Sequence, residues 1–160
     1  SLFDYGGPIA EAITALKYRN EPWRGRMFGQ MIGRALLTGR AHDSTTTLVP
    51  VPVSRVRGLE RGYNQAAIIS RHAGRSSGMV SDTRRLKRLD SLASQTLAGR
   101  DERLARVLEF ESRPWSGTTI LIDDVLTTGA TLATSAQALR DGCTGDGAVL
   151  AWTVARSAPT

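Results

Sequence analysis

Cysteine is nearly absent from this 160-residue chain, where Cys143 stands alone. A single thiol excludes an internal disulfide framework and any zinc site built on several cysteines. No motif around it makes a nucleophile, so Cys143 reads as a small buried or turn-adjacent residue. Histidine is almost as scarce, with only His42 and His72. Together these leave little room for a Ser-His-Asp or Cys-His nucleophile system. No apolar run approaches the length of a membrane span. No G-K-[ST] ending marks a Walker A loop, and neither an internal repeat nor a low-complexity tail is visible. Ser1 is not an initiator Met and the opening residues do not form a signal peptide, which reads as a fragment or a processed chain. The expectation is a cytoplasmic protein with no membrane attachment.

What is present fits one soluble domain over residues 1–160, with enough chain for a substantial core. The hydrophobic share is an ordinary 41%, and 21 basic against 15 acidic residues give a net charge of +6. That excess favours anionic ligands or nucleic acid. Much of it sits in Arg84, Arg85, Lys87 and Arg88, without the interleaved aromatics that a single-strand stacking platform requires.

The chain is organised around Thr118 to Ala133. Ile120, Leu121 and Ile122 form a continuous apolar run, as in a strand covered on both faces. Asp123 and Asp124 follow at once, then Thr127, Thr128, Gly129, Ala130 and Thr131 lead into an Ala-rich helix. In a parallel α/β protein this carboxyl edge of the sheet is where ligands bind. The helix start offers unpaired N–H groups to a phosphate. Gly129 removes side-chain bulk, and the three threonines add hydroxyl donors. The two aspartates can accept from a diol or hold Mg²⁺, directly or through water. Acids for hydroxyls beside a loop for phosphate point to a sugar phosphate. The competing reading is an ordinary strand-to-helix turn with Asp and Thr as caps.

Elsewhere, residues 1–22 read as an irregular lead and a short helix with Ile9, Ile13 and Leu16 on one face. A second helix over about 24–37 carries a stripe of Phe28, Met31, Ile32, Ala35 and Leu36. This lead, residues 1–45, is a candidate hood over the core at 46–160. His42 falls in a polar linker. Leu48 to Val53 reads as a short strand entering a loop constrained by Pro50 and Pro52. Arg55, Arg57 and Arg61 bracket Gly58 and Gly62 in a basic loop able to grip a diphosphate. A helix over about 64–72 turns Ala66, Ile69 and Ala73 inward and puts His72 near its end, with a turn from Gly74 to Gly78. Met79 and Val80 begin a strand. Residues of about 82–106 read as a mobile basic flap or, equally, a solvated charged face, with a helix over about 101–108. A helix over about 130–139 and a strand over 148–154 close the chain. About five core strands are expected.

I-L-I-D-D-V-L-T-T-G-A-T, residues 120–131, resembles the diphosphoribosyl-diphosphate (PRPP) motif of type I phosphoribosyltransferases. L-F-D-Y-G-G-P-I (2–9), L-K-Y-R (16–19), V-P-V-P (49–52) and R-x-R-G-L-E-R-G-Y-N-Q (55–65) extend the likeness over most of the chain to the ComF/GntX-like family. The resemblance implies a parallel sheet flanked by helices, with a small hood and a flexible flap. It implies that Asp123 and Asp124 bind the ribose 2- and 3-hydroxyls and Mg²⁺, and that Thr127, Thr128, Gly129, Ala130 and Thr131 hold the 5-phosphate. Val53, Ser54, Arg55 and Arg61 would serve the diphosphate, in a loop that often contains a non-proline cis peptide, with Asn64 and Gln65 shaping it. Lys17, Arg88 and Arg103 are further candidates for ligand contact. Family members often carry an N-terminal zinc ribbon with two CxxC pairs, and no such pair is found here.

Two departures bear on function. Against the family's flap pattern, aligning Gln95 lets Arg103 and Val107 fit but puts Leu92, Ala98 and Arg106 in place of Thr, Leu and Asn. Thr127 stands where purine-salvage enzymes carry an acid, so hypoxanthine or guanine is disfavoured as acceptor. The main expectation is Mg²⁺-dependent transfer of ribose 5-phosphate from PRPP to a nitrogenous base, with a homodimer conceivable. The alternatives are a PRPP- or nucleotide-binding protein with little catalysis, and a protein associated with DNA uptake.

Overall fold

The computed structural model describes residues 1–39, 45–89 and 109–157. Their order is β1 (Phe3–Asp4), α1 (Gly7–Tyr18), α2 (Trp23–Thr38), β2 (Thr47–Pro50), α3 (Arg55–Arg61), α4 (Gln65–Ser77), β3 (Val80–Ser81), β4 (Leu86–Leu89), β5 (Glu109–Ser112), β6 (Thr118–Leu126), α5 (Ala130–Asp141) and β7 (Ala148–Arg156). A parallel sheet runs β1-β7-β6-β2-β3, and β4 pairs with β5 antiparallel in a separate ribbon.

β6 is the axis of the sheet. Ile120, Leu121 and Ile122 are all fully buried, as a strand covered on both faces requires. Because side chains alternate across a strand, Ile120 and Ile122 enter one core with Ile13, Leu16, Phe28, Ile32 and Ile69, under α1, α2 and α4. Leu121 enters the other, with Val49, Leu86, Trp115 and Leu139, under α5 and the β4–β5 ribbon. Trp115 is anchored there by its ring N–H, which donates to the Leu139 carbonyl at 2.6 Å. Residues 1–39 pack against the sheet through α1 and α2, whose buried side chains join this core.

Several boundaries differ from expectation. β6 continues to Leu126, so both aspartates lie inside the strand rather than just beyond it. Residues 55–61 form a short helix instead of a basic loop, with Ser54 accepting from the Arg57 N–H as its cap. α4 runs on to Ser77 through the expected Gly74 turn, which leaves His72 within the helix rather than near its end. Met31 is exposed on α2 despite its place in the apolar stripe. β2 runs from Thr47 to Pro50, so the strand takes in the first of the two prolines. Val51 N–H donates to Ile122 at 2.9 Å. By alternation the Pro50 nitrogen then faces the β3 side, past the last β2–β3 pair at Leu48, where no donor is needed. Residues 86–89, expected in the flap, form β4. His42, the rest of that flap and its helix at about 101–108 lie outside the described residues.

α2 and α4 meet along a seam of glycines spaced one turn apart, Gly25, Gly29 and Gly33. A Cβ at Gly29 would stand 2.5 Å from the Ile69 carbonyl oxygen, and one at Gly33 would stand 2.6 Å from that of Ala73. Backbone cannot yield as a flexible side chain does, so these positions set the distance between the helices. In an exposed helix Gly→Ala adds about 0.5–1 kcal/mol of stability. Here Gly29→Ala and Gly33→Ala are each expected to cost about 1–3 kcal/mol through overpacking. Gly58→Ala, whose Cβ meets only Val53 at 3.6 Å, should be neutral or stabilising. Urea midpoints for the three variants check the contrast.

Candidate functional site

The order β3-β2-β6-β7 means the chain leaves β2 toward one edge and later resumes at β6 on the other side of β2. Such a reversal opens a crevice at the carboxyl ends of the two strands, the usual ligand position in an open α/β sheet. The segments leaving it are the ones singled out in the sequence: Val51 to Ser54 after β2, and Thr127 to Gly129 after β6.

The turn after β6 is accessible. Thr127, Thr128 and Ala130 are exposed, while Gly129 and Thr131 are half-buried. Gly129 adopts φ 80° at the start of α5, a left-handed conformation that glycine accommodates without Cβ strain. No side chain caps α5, though Ala130 N–H reaches Thr128 Oγ1 at 3.4 Å. Unpaired N–H groups of a helix's first turn, beside hydroxyls, suit a phosphate.

Asp123 and Asp124 face opposite sides of β6. Asp124 is 8% exposed on the α1 side, and Lys17 Nζ lies 2.7 Å from its Oδ1. Asp123 is half-buried, and its Oδ1 accepts the Asp124 N–H at 2.8 Å. Burial, then the neighbouring Asp124 charge, push the Asp123 carboxyl up to about 7, against the opposing pull of that hydrogen bond and of Lys17. The structure thus brings Lys17, from the end of α1, to the acidic pair.

Val53 and Arg55 line a cleft of about 720 Å³ together with Arg84, Arg85, Lys87, Arg88 and Arg113, opposed by Glu111. Arg85 is tied to Thr119 at 2.9 Å and to Asp82 at 3.5 Å. Ser54 is half-buried and committed to capping α3. No peptide bond among the described residues is cis, contrary to the expectation for this loop. Asn64 donates to the Val51 carbonyl at 3.0 Å while capping α4, which fixes the exit from β2. Arg61 is not brought to this cleft. Its guanidinium donates to Gln65 Oε1 at 3.1 Å and Tyr18 Oη at 3.3 Å, and it lines a second cleft of about 530 Å³ with Lys17, Tyr18, Asn20 and Tyr63. Gln65 is buried, and its Nε2 has no partner. Arg103 lies outside the described residues. Neither Arg113 nor the Tyr18–Arg61 pairing has a local signal, because both depend on contacts across distant segments.

Few protein donors are at hand for Mg²⁺. Two carboxylates are available, turned to opposite faces of a strand, and one already holds an ammonium. Among the described residues no group of three or more His, Cys, Asp or Glu side chains converges on one point. Mg²⁺ is commonly held by one or two carboxylates, with water and substrate phosphates completing its shell; here an ion at Asp124 would compete with the Lys17 ammonium.

No family model matches the chain. It is 27% identical over 146 residues to competence protein F of Haemophilus influenzae, a match that takes in 85% of this chain and 63% of that protein. It is 30% identical over 142 residues to competence protein ComFC of Bacillus subtilis, covering 87% of this chain and 56% of the relative. To the DNA utilization protein YhgH of Escherichia coli it is 27% identical over 168 residues, 98% of this chain and 71% of the other. The chain thus spans under two thirds of the length of the first two. Among solved structures, glutamine PRPP amidotransferase from B. subtilis superposes with a TM-score of 0.50 at 12% identity, over 79% of this chain and 25% of that one. That likeness is one of fold.

The raised Asp123 carboxyl has a signed consequence. Between its ordinary value of 3.8 and about 7, the folded protein keeps a proton that the unfolded chain has released. Asp123 therefore favours the fold fully below that window, and the contribution is lost as pH rises through it. Asp123→Asn removes this loss. Its stability relative to wild type should climb across the window and level off above it. Urea denaturation at stepped pH measures the difference, and a flat difference would contradict the assignment.

Proposed function

We propose that this chain, a relative of the ComF competence proteins, binds a phosphorylated pentose, as PRPP or a nucleotide, in a task connected with handling DNA. The carrying observation is the crevice between β2 and β6, where an accessible glycine-threonine turn stands next to two aspartates at the end of a buried strand. In this reading the 5-phosphate sits on the turn at the start of α5. The ribose hydroxyls meet the acidic pair. A further anionic group extends toward the cleft of Val53 and Arg55, where guanidinium groups can pair with phosphate oxygens two at a time. The association with DNA is supported by the likeness to competence proteins and a DNA utilization protein.

Transfer of the ribosyl group is the second reading, favoured by the basic side chains gathered with Arg55 in the segment after β2. The C1–O bond to diphosphate would break and a C1–N bond to a base would form, the base's proton passing to solvent. Diphosphate would leave into the basic cleft, where positive charge stabilises it, and the acidic pair would hold the ribose in a reactive orientation. Two observations put binding first: Lys17 already engages Asp124, and the neutral hydroxyl of Thr127 offers no base for the acceptor.

Isothermal titration separates the possibilities. Ribose 5-phosphate should bind and free ribose should not. Gly129→Val, which loads a left-handed position and crowds the turn, should weaken binding by about tenfold or more. Equal affinity in that variant would remove the phosphate from the turn. Diphosphate release from PRPP with a panel of bases then distinguishes transfer from binding.

A further inference from the structure

We propose that Lys17 is the resident cation of this site: its ammonium holds Asp124 in position for the sugar and supplies the positive charge beside the acidic pair, so that pentose phosphate binds without a divalent ion. The inference rests on the phosphoribosyl reading above and adds a residue and an ion requirement to it.

The contact is built rather than incidental. Lys17 Nζ is 2.7 Å from Asp124 Oδ1, with the two side chains only 22% and 11% exposed. A surface ion pair that samples water freely contributes little. A pair this sheltered constrains where both groups point, and removing one partner leaves the other costly. Lys17 sits in the last turn of α1, and that turn is pinned twice. Leu16 is fully buried in the core, and its carbonyl accepts the Tyr63 hydroxyl at 2.5 Å. The ammonium is therefore held from the backbone outward.

The same side chain lines the 530 Å³ cleft with Tyr18, Asn20, Arg61 and Tyr63. An ammonium has three donors and no acceptor. Asp124 uses one; Asp124 does not itself line the cleft, so the ammonium is the group shared between the cleft and the acid. A sugar diol needs an acceptor and a donor side by side, and Asp124 with Lys17 offers both. A hydrated Mg²⁺ would fill the same electrostatic role, but it binds few protein ligands and loses its waters reluctantly. The tethered ammonium supplies the charge without that step.

The test is ribose 5-phosphate titration, in excess EDTA and in Mg²⁺, for wild type, Lys17→Met and Lys17→Arg, each checked for cooperative unfolding. Ribose 5-phosphate is chosen because it lacks the diphosphate that would carry an ion of its own. Wild type and Lys17→Arg should bind equally with and without Mg²⁺. Lys17→Met should lose about tenfold or more in EDTA and recover part of it in Mg²⁺, as an ion takes the vacated place beside Asp124. A general structural defect would not be rescued by the ion. If wild type binds only with Mg²⁺, if Lys17→Arg comes to need the ion, or if Lys17→Met matches wild type in EDTA, the inference falls while the pentose site stands. Loss in Lys17→Met that Mg²⁺ does not restore overturns it as well. If no protein binds ribose 5-phosphate in either condition, the phosphoribosyl reading itself is wrong.

Discussion

Two carboxylates stand where a strand sealed on both faces reaches the crevice, and charge in so sheltered a place must be compensated or neutralised. The molecule does both. Asp124 receives Lys17, while Asp123 is displaced toward its protonated form. Supplying Lys17 requires the end of α1 to lie beside β6, and Tyr63 secures that end through the Leu16 carbonyl. Tyr63 belongs to the same short segment as Asn64, which ties down the exit from β2. Three motifs far apart in sequence, at 16–19, 49–65 and 120–131, thus become one structural unit around a single ion pair.

Sheet order explains why these motifs converge. Had β6 followed β3 at the edge, helices would close the ends of neighbouring strands. The reversal between β2 and β6 leaves the space above both open. The Gly25, Gly29 and Gly33 seam then matters at a distance. It lets α2 lie close on α4, and α4 begins at Gln65, directly after the segment that carries Tyr63 and Asn64. Helix separation at one end of the domain thereby bears on where the crevice is held.

Much of this was legible in the sequence because hydrophobic pattern and turn chemistry agree locally. Ile120 to Ile122 read as a doubly covered strand and are fully buried; the Thr-Thr-Gly turn and the helix after it follow the same logic. The ComF relationship and the parallel α/β architecture were also visible there. What was not legible depends on partners remote in the chain. Residues 55–61 lack any apolar period, and none of them is buried, so their helix rests on the Ser54 cap and gives no pattern to read. β1 has only two residues and exists because β7 offers it an edge. The glycine seam carries no hydrophobic signal at all. The extension of β6 through the acids reflects pairing with β7 as far as Arg156, which polarity alone would argue against.

That extension changes what the acidic pair can do. At the loose end of a strand, two adjacent aspartates could swing together onto one ion. Held in register to Leu126, they are committed to opposite faces, and each meets a different environment. Asp124 faces α1 and a fixed cation, which suits it to accept from a hydroxyl in a set direction. Asp123 faces the α5 side, where burial pushes its carboxyl up. A pair divided in this way presents two carboxylates in different electrostatic settings. The backbone pairing of β6 with β7, rather than the acids themselves, imposes that division.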